Sequence, residues 1–219
     1  MTDQNDYEAL AAQLRKPTGD FGQIVANNMH QNNANMTLTC INQLDIHANQ
    51  HVLELGHASA LHLKTLFDKH PSITYYGLEI SELMHEQAQQ LASQLTTTHP
   101  LHFKLYDGKT LPYPNTTFNR IFTVNTLYFW ENPLSLLNEL HRVLKPEGVL
   151  CICFGWKSFM ENMPFTSYNF KLYDANDIDS LVKQSAFERY DIINCDETFI
   201  HSSGEEVHRD FAVLKLKKN

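Results

Sequence analysis

The feature that most constrains this chain is an alternation of short apolar runs and amphipathic helical stretches between residues 51 and 154. A buried strand reads as a brief apolar run bounded by turn formers, and a helix as apolar positions three and four apart. Residues 51–55, 73–79, 101–106, 119–125 and 149–154 show the first pattern. After the first run, Ser59 is the expected cap of a helix running to about residue 70, with Leu63, Leu66 and Phe67 inward and Pro71 as its stop. Ser81 caps the next, whose stripe is Met84, Ala88, Leu91, Ala92 and Leu95, with the break at Pro100. A turn at 112–115 joins the third and fourth runs, and Pro133 opens a helix that turns Leu134, Leu137, Leu140 and Leu144 inward. The turn Pro146-Glu147-Gly148 leads into the fifth run. Beyond it, Asp174 and Asp177 resemble a capping box. Residues 187–195 and 210–216 then follow one another without a helix, as a hairpin does. Strand–helix alternation implies a parallel sheet with right-handed crossovers. The expected fold is α/β: a doubly wound, seven-stranded sheet, mostly parallel with an antiparallel C-terminal hairpin strand, and helices on both faces.

The first 45 residues stand outside this rhythm and form an expected N-terminal helical cap or extension, residues 1–45, before a main domain at 46–219. Helical spacing covers Tyr7, Leu10, Ala11 and Leu14 and ends before Pro17; further stretches run over 21–29 and 33–44, divided by Gln31-Asn32-Asn33. A length of 219 residues with 42% hydrophobic content suits one domain with such an extension. Lys plus Arg number 17 against 25 Asp plus Glu, a net charge of −8. With no cationic run longer than Lys217-Lys218, nucleic acid is not an expected partner. No apolar stretch approaches a membrane span and the N-terminus lacks a signal-peptide pattern, so a cytoplasmic protein with reduced Cys40, Cys151, Cys153 and Cys195 is expected.

Ligands of such sheets bind at the carboxyl ends of the strands, where the strand order reverses. Four strand ends carry polar or glycine residues: Glu54-Leu55-Gly56-His57-Ala58, Gly77-Leu78-Glu79-Ile80, Tyr106-Asp107-Gly108, and Val124-Asn125-Thr126-Leu127. Glu79 lies 23 positions after Gly56, and an acidic residue there suits the hydroxyls of a ribose. It is equally readable as a solvated strand end. Asp107-Gly108 suits an adenine edge or a common tight turn, and Glu54 suits the same site or a helix-terminus cap.

Taken in order, VLELG, YYGLEIS, KLYDG, FNRIFTVNTLYFWENP and LHRVLKPEGVLCICF resemble the class I S-adenosylmethionine-dependent methyltransferases, of bacterial small-molecule type, across about residues 20–216. That resemblance implies a Rossmann-like fold, S-adenosylmethionine as cofactor, and methyl transfer to a small-molecule acceptor. It implies that Glu54, Gly56, His57 and Ala58 pass the methionine part of the cofactor. Glu79 would hold the ribose, Ile80 pack on the adenine, and Asp107 and Gly108 meet its edge. Asn125 would lie near the transferred methyl, with Leu127, Tyr128 and Trp130 at the acceptor's mouth.

The family's GxGxG turn is here Gly56-His57-Ala58-Ser59-Ala60. Glycine serves there for positive φ and close backbone approach, so alanine implies strain and the imidazole of His57 a narrowed channel. A non-catalytic or regulatory binding protein that retains the fold is the rival function. A dinucleotide site fits less well, because GxGxxG would need glycines at Ala58 and Leu61. Twelve histidines include no His-Glu-x-x-His, there is no Cys-x-x-Cys pair, and His99/His102 and His57/His62 are the nearest spacings; no metal is expected. No Gly-x-Ser-x-Gly elbow is present. Catalytic residues stay unassigned: His30, His57 and Tyr128 are conceivable bases, and Phe21, Phe129, Trp156, Phe159, Phe165 and Tyr168 conceivable acceptor-pocket aromatics or plain core. Self-association as a homodimer is left open.

Overall fold

The computed structural model describes residues 4–70, 72–95, 100–201 and 203–219; Pro71 and His99, singled out above, lie outside them. Seven strands, β1 (His51–Leu55), β2 (Thr74–Glu79), β3 (Leu101–Leu105), β4 (Phe118–Val124), β5 (Leu144–Gly155), β6 (Arg189–Ile200) and β7 (Glu206–Lys217), form one sheet. Their order is β3-β2-β1-β4-β5-β7-β6. β1 to β5 pair in parallel, β7 runs antiparallel to β5, and β6 antiparallel to β7. The chain winds outward from β1 to β3 and then returns to β4, which lies against β1. The order reverses there, and the strand ends of β1 and β4 open a crevice.

Side-chain alternation divides the interior into two cores. Leu53, Leu55, Ile121, Leu150, Ile152 and Leu214 face α5 (Pro133–Val143) and α7 (Ala175–Gln184), which contribute Leu137, Leu140, Ile178 and Val182. Val52, Tyr75, Phe122, Cys151, Cys153 and Val213 face the other way, onto α2 (Gly19–Asn42), α3 (Leu63–Lys69) and α4 (Glu82–Gln94). Burial on both faces explains why the central strands read as continuous apolar runs, and why β6, at the edge, alternates instead. Local signals work as read at several helix ends. Ser81 Oγ accepts from Met84 N, Asn132 caps the helix begun by Pro133, and Asp174 and Asp177 form a reciprocal capping box.

Four expectations are corrected. The stretches 21–29 and 33–44 are one 24-residue helix, α2, preceded by α1 (Gln4–Arg15). The Asn-rich patch does not break it, because buried Arg209 donates to Asn32 O at 2.7 Å and to Asn33 Oδ1 at 3.1 Å, a tertiary contact that outweighs weak helix propensity. Ser59 caps nothing: α3 begins at Leu63, since left-handed Ala58 (φ 49°) and Ala60 (φ 58°) forbid a helix before it. β5 begins at Leu144, with the Pro146 turn held inside it as an irregularity between the Phe118 and Arg120 pairs. The hairpin is longer than its apolar pattern. Its outer part, 196–200 paired with 206–210, extends past β5, and the buried Arg209–Glu197 pair ties it to α2.

Candidate functional site

β1 ends by turning sharply at Gly56 (φ 71°), where a Cβ would come within 2.6 Å of Thr126 Cγ2. Both the left-handed backbone and the close approach of the β4 loop require glycine there. Ala58 and Ala60 then take the same left-handed region, each at a cost of about 1–2 kcal/mol. The loop is held in that shape from β2. Glu79 accepts from Ala58 N at 3.0 Å through Oε2, and from Ile80 N and Ser81 N at 2.7 and 2.9 Å through Oε1. Burial raises the Glu79 pKa, opposed by those three N–H donors, with the charge of Glu54 adding to the rise. A carboxylate has about four acceptor positions, so three donors leave one on Oε2 for a further partner.

His57 lies in the wall of this turn at 2% exposure. Its Nδ1 donates to Ala58 O at 2.7 Å, its ring meets the Phe103 edge at 4.9 Å between centroids, and its Cδ2 occupies the space that a Cβ on Gly77 would need. The imidazole thus packs on the sheet beside the missing side chain of Gly77 and forms part of the cavity wall. Burial lowers its pKa to about 3, leaving it neutral. Glu54, also buried, accepts through Oε2 from Tyr75 Oη and from His62 Nε2, the latter at 2.8 Å.

Asp107 is an exposed turn residue whose Oδ1 accepts from Lys109 N and Thr110 N, both at 2.8 Å, and these donors lower its pKa. Gly108 follows with φ 77°. Asn125, at the end of β4, is left-handed (φ 56°), and its Oδ1 accepts from Tyr128 Oη at 3.2 Å.

These strand ends enclose a cavity of about 580 Å³. Glu54, Gly56, His57, Ala58, Glu79, Ile80, Asp107, Gly108, Asn125 and Trp130 all line it. Leu127 and Tyr128 do not: both are core residues, and Tyr128 Oη is engaged by Asn125 and Gly155. Phe129 takes the lining position beside Trp130. The far wall comes from the expected N-terminal cap: Arg15 at the end of α1, Pro17 in the linker, and Met29, Asn33 and Thr37 on α2. Periodicity located those helices but carries no sign of which end faces a ligand. The cavity has the size of small-molecule and cofactor sites, and its glycine turn, fixed carboxylate and free Oε2 position fit a nucleoside with hydroxyl donors.

Known proteins agree with this geometry. The profile of the family described as Methyltransferase domain matches residues 53–152. Over 104 residues, 45% of this chain, it is 32% identical to the biotin biosynthesis bifunctional protein BioHC of Teredinibacter turnerae, of which it spans 18%. It superposes with TM-score 0.73 and 16% identity on a chain from the complex between the Haloferax volcanii Trm112 methyltransferase activator and a methyltransferase, covering 98% of each. With TM-score 0.71 and 12% identity it matches Haemonchus contortus Phospholethanolamine N-methyltransferase 2 in complex with phosphomonomethylethanolamine and S-adenosylhomocysteine, covering 97% of this chain and 60% of that one. At such identities structural likeness establishes the fold. Residues 53–152 match the methyltransferase domain family, and the sheet has the fold of the solved methyltransferases. The cofactor of that family is S-adenosylmethionine.

Proposed function

We propose that this protein transfers a methyl group from S-adenosylmethionine to a small-molecule acceptor. The observation that carries the proposal is the Glu79 carboxylate, fixed by three backbone N–H groups at the edge of a 580 Å³ cavity with one acceptor position to spare. When bound, the cofactor supplies an electrophilic methyl on a sulfonium, and the chain supplies position and exclusion of water. In this proposal Glu79 accepts from the ribose, Ile80 packs on the adenine, and Asp107 and Gly108 meet its edge. Glu54, Gly56, His57 and Ala58 border the methionine part, Asn125 lies near the methyl, and Trp130 borders the acceptor with Leu127 and Tyr128 behind it. Residues 1–45 act as a cap, which the cavity-lining positions on α1 and α2 support. The net charge of −8 favours a metabolite over nucleic acid, and a cytoplasmic location goes with it. Among the described residues no helix is long and apolar enough to cross a membrane.

Calorimetric titration with S-adenosylmethionine and S-adenosylhomocysteine tests the proposal. Saturable binding of both is expected, and no binding at millimolar ligand overturns it. Binding without turnover on any acceptor would favour a regulatory protein that keeps the fold.

A further inference from the structure

The Glu54–His62 pair joins the end of β1 to the residue that precedes α3. His62 Nε2 stands 2.8 Å from Glu54 Oε2, with side-chain exposures of 12% and 4%. Tyr75 donates to the same oxygen, so two side chains hold the carboxylate on β1. The His62 ring stands edge-on to Phe122, 6.2 Å between centroids at 86°, which fixes its plane. With Nε2 donating to the carboxylate, the lone pair lies on Nδ1. No described residue hydrogen-bonds Nδ1, and His62 lines the same cavity as Gly56, Ala58 and Asn125. A histidine oriented by a carboxylate with its other nitrogen open to a cavity is the arrangement of a general base.

The other conceivable bases fall away on geometry. The lone pair of His57 is buried in the wall, and Tyr128 is a core residue engaged by Gly155. His30, on α2, lies near His62 and lines the cavity, but burial and the neighbouring His62 lower its proton affinity, and among the described residues no carboxylate holds it.

We propose that His62, positioned by Glu54 and Tyr75, takes the proton of a hydroxyl-bearing acceptor. This rests on the methyl-transfer function proposed above and narrows its substrate class. The acceptor oxygen bonds the transferred methyl carbon as the carbon–sulfur electron pair returns to sulfur. The O–H proton passes to Nδ1, and the resulting imidazolium is paired with the Glu54 carboxylate. His62 is then a catalytic residue, and Glu54 and Tyr75 are positioning residues.

The test uses the full chain, its His62→Gln and Glu54→Gln variants, and two probe acceptors: catechol, protonated at neutral pH, and 4-nitrothiophenol, already ionised there. His62→Gln is expected to slow methylation of catechol by about 100-fold, the lower range for a general base. Methylation of the thiophenolate and affinity for S-adenosylhomocysteine should stay within about threefold, as for an interaction made only in the proton-transfer step. Glu54→Gln should displace the acidic limb of the catechol pH–rate profile, which lost packing alone does not do. Independently of turnover, diethylpyrocarbonate should acylate His62 and spare His57, as read by peptide mass mapping. Equal losses on both acceptors, no loss on catechol, or an unreactive His62 overturns the proposal. Failure of wild type to bind S-adenosylhomocysteine would overturn the methyl-transfer function as well; intact binding with an absent acceptor split overturns the base alone.

Discussion

Glu79 and His57 occupy neighbouring strand ends, and burial raises the pKa of one and lowers that of the other. Glu79→Ala removes the acceptor for three backbone N–H groups and for the proposed ribose contact. Affinity for S-adenosylhomocysteine should fall by about 1–3 kcal/mol, the scale of charged hydrogen bonds. Calorimetry reads it directly, and an unchanged Kd removes the ribose role. His57 is held neutral with a pKa of about 3, whereas in the unfolded chain it titrates near the ordinary histidine value of about 6.5. A depressed folded pKa contributes stability that is complete above about 6.5 and lost as pH falls toward 3, at up to about 1.4 kcal/mol per pH unit. Glu79, with its raised pKa, works in the opposite sense, so the difference between wild type and His57→Gln isolates the histidine. Urea denaturation across that range should show a shallower acid loss in His57→Gln; parallel curves would refute a buried neutral imidazole.

At the scale of the element, the turn after β1 keeps a glycine-like backbone without the glycines. Ala58 and Ala60 pay for their left-handed conformations with local strain, which the Ala58 N to Glu79 and Ala60 N to His57 O bonds maintain. Ala58→Gly relieves about 1–2 kcal/mol of strain. It gives back about 0.4–1 kcal/mol as entropy of the unfolded chain. A net gain of between zero and about 1.6 kcal/mol in unfolding free energy follows from those two effects. A measured loss of stability would show that the Cβ at this position packs favourably and outweighs the strain. The α7 capping box, by contrast, was legible in full, because Asp174 and Asp177 satisfy helix-end donors within three residues of themselves.

At the scale of the molecule, the cavity wall depends on a contact far from it in sequence. Arg209 on β7 pairs with Glu197 on β6 and donates to Asn32 and Asn33 on α2, the helix that supplies Met29, Asn33 and Thr37 to the cavity. Arg209→Ala leaves the Glu197 carboxylate without its cation and with Asn35 Nδ2 as its remaining donor, at a cost of about 3–5 kcal/mol. Denaturation should record that loss, and amide exchange in α2 around Asn32 and Asn33 should accelerate before the central strands do. Unchanged exchange there would mean that the hairpin does not brace the cap.

What could be taken from the chain alone follows from local rules. Strand and helix positions, the parallel sheet with its closing hairpin, and the strand-end residues that came to line the cavity all depend on periods of two or 3.6 residues, turn chemistry, and the place where the strand order reverses. The fold assigned the rest, because it depends on contacts between distant segments. α2 runs unbroken because Arg209 meets its asparagines. The His57 imidazole lies in the wall because Gly77, on the next strand, leaves room for it. Phe129 faces the cavity while Leu127 and Tyr128 turn into the core. Glu54 finds His62 across a left-handed turn that no local propensity announces. Periodicity shows that a side chain points inward; only packing shows what it meets there.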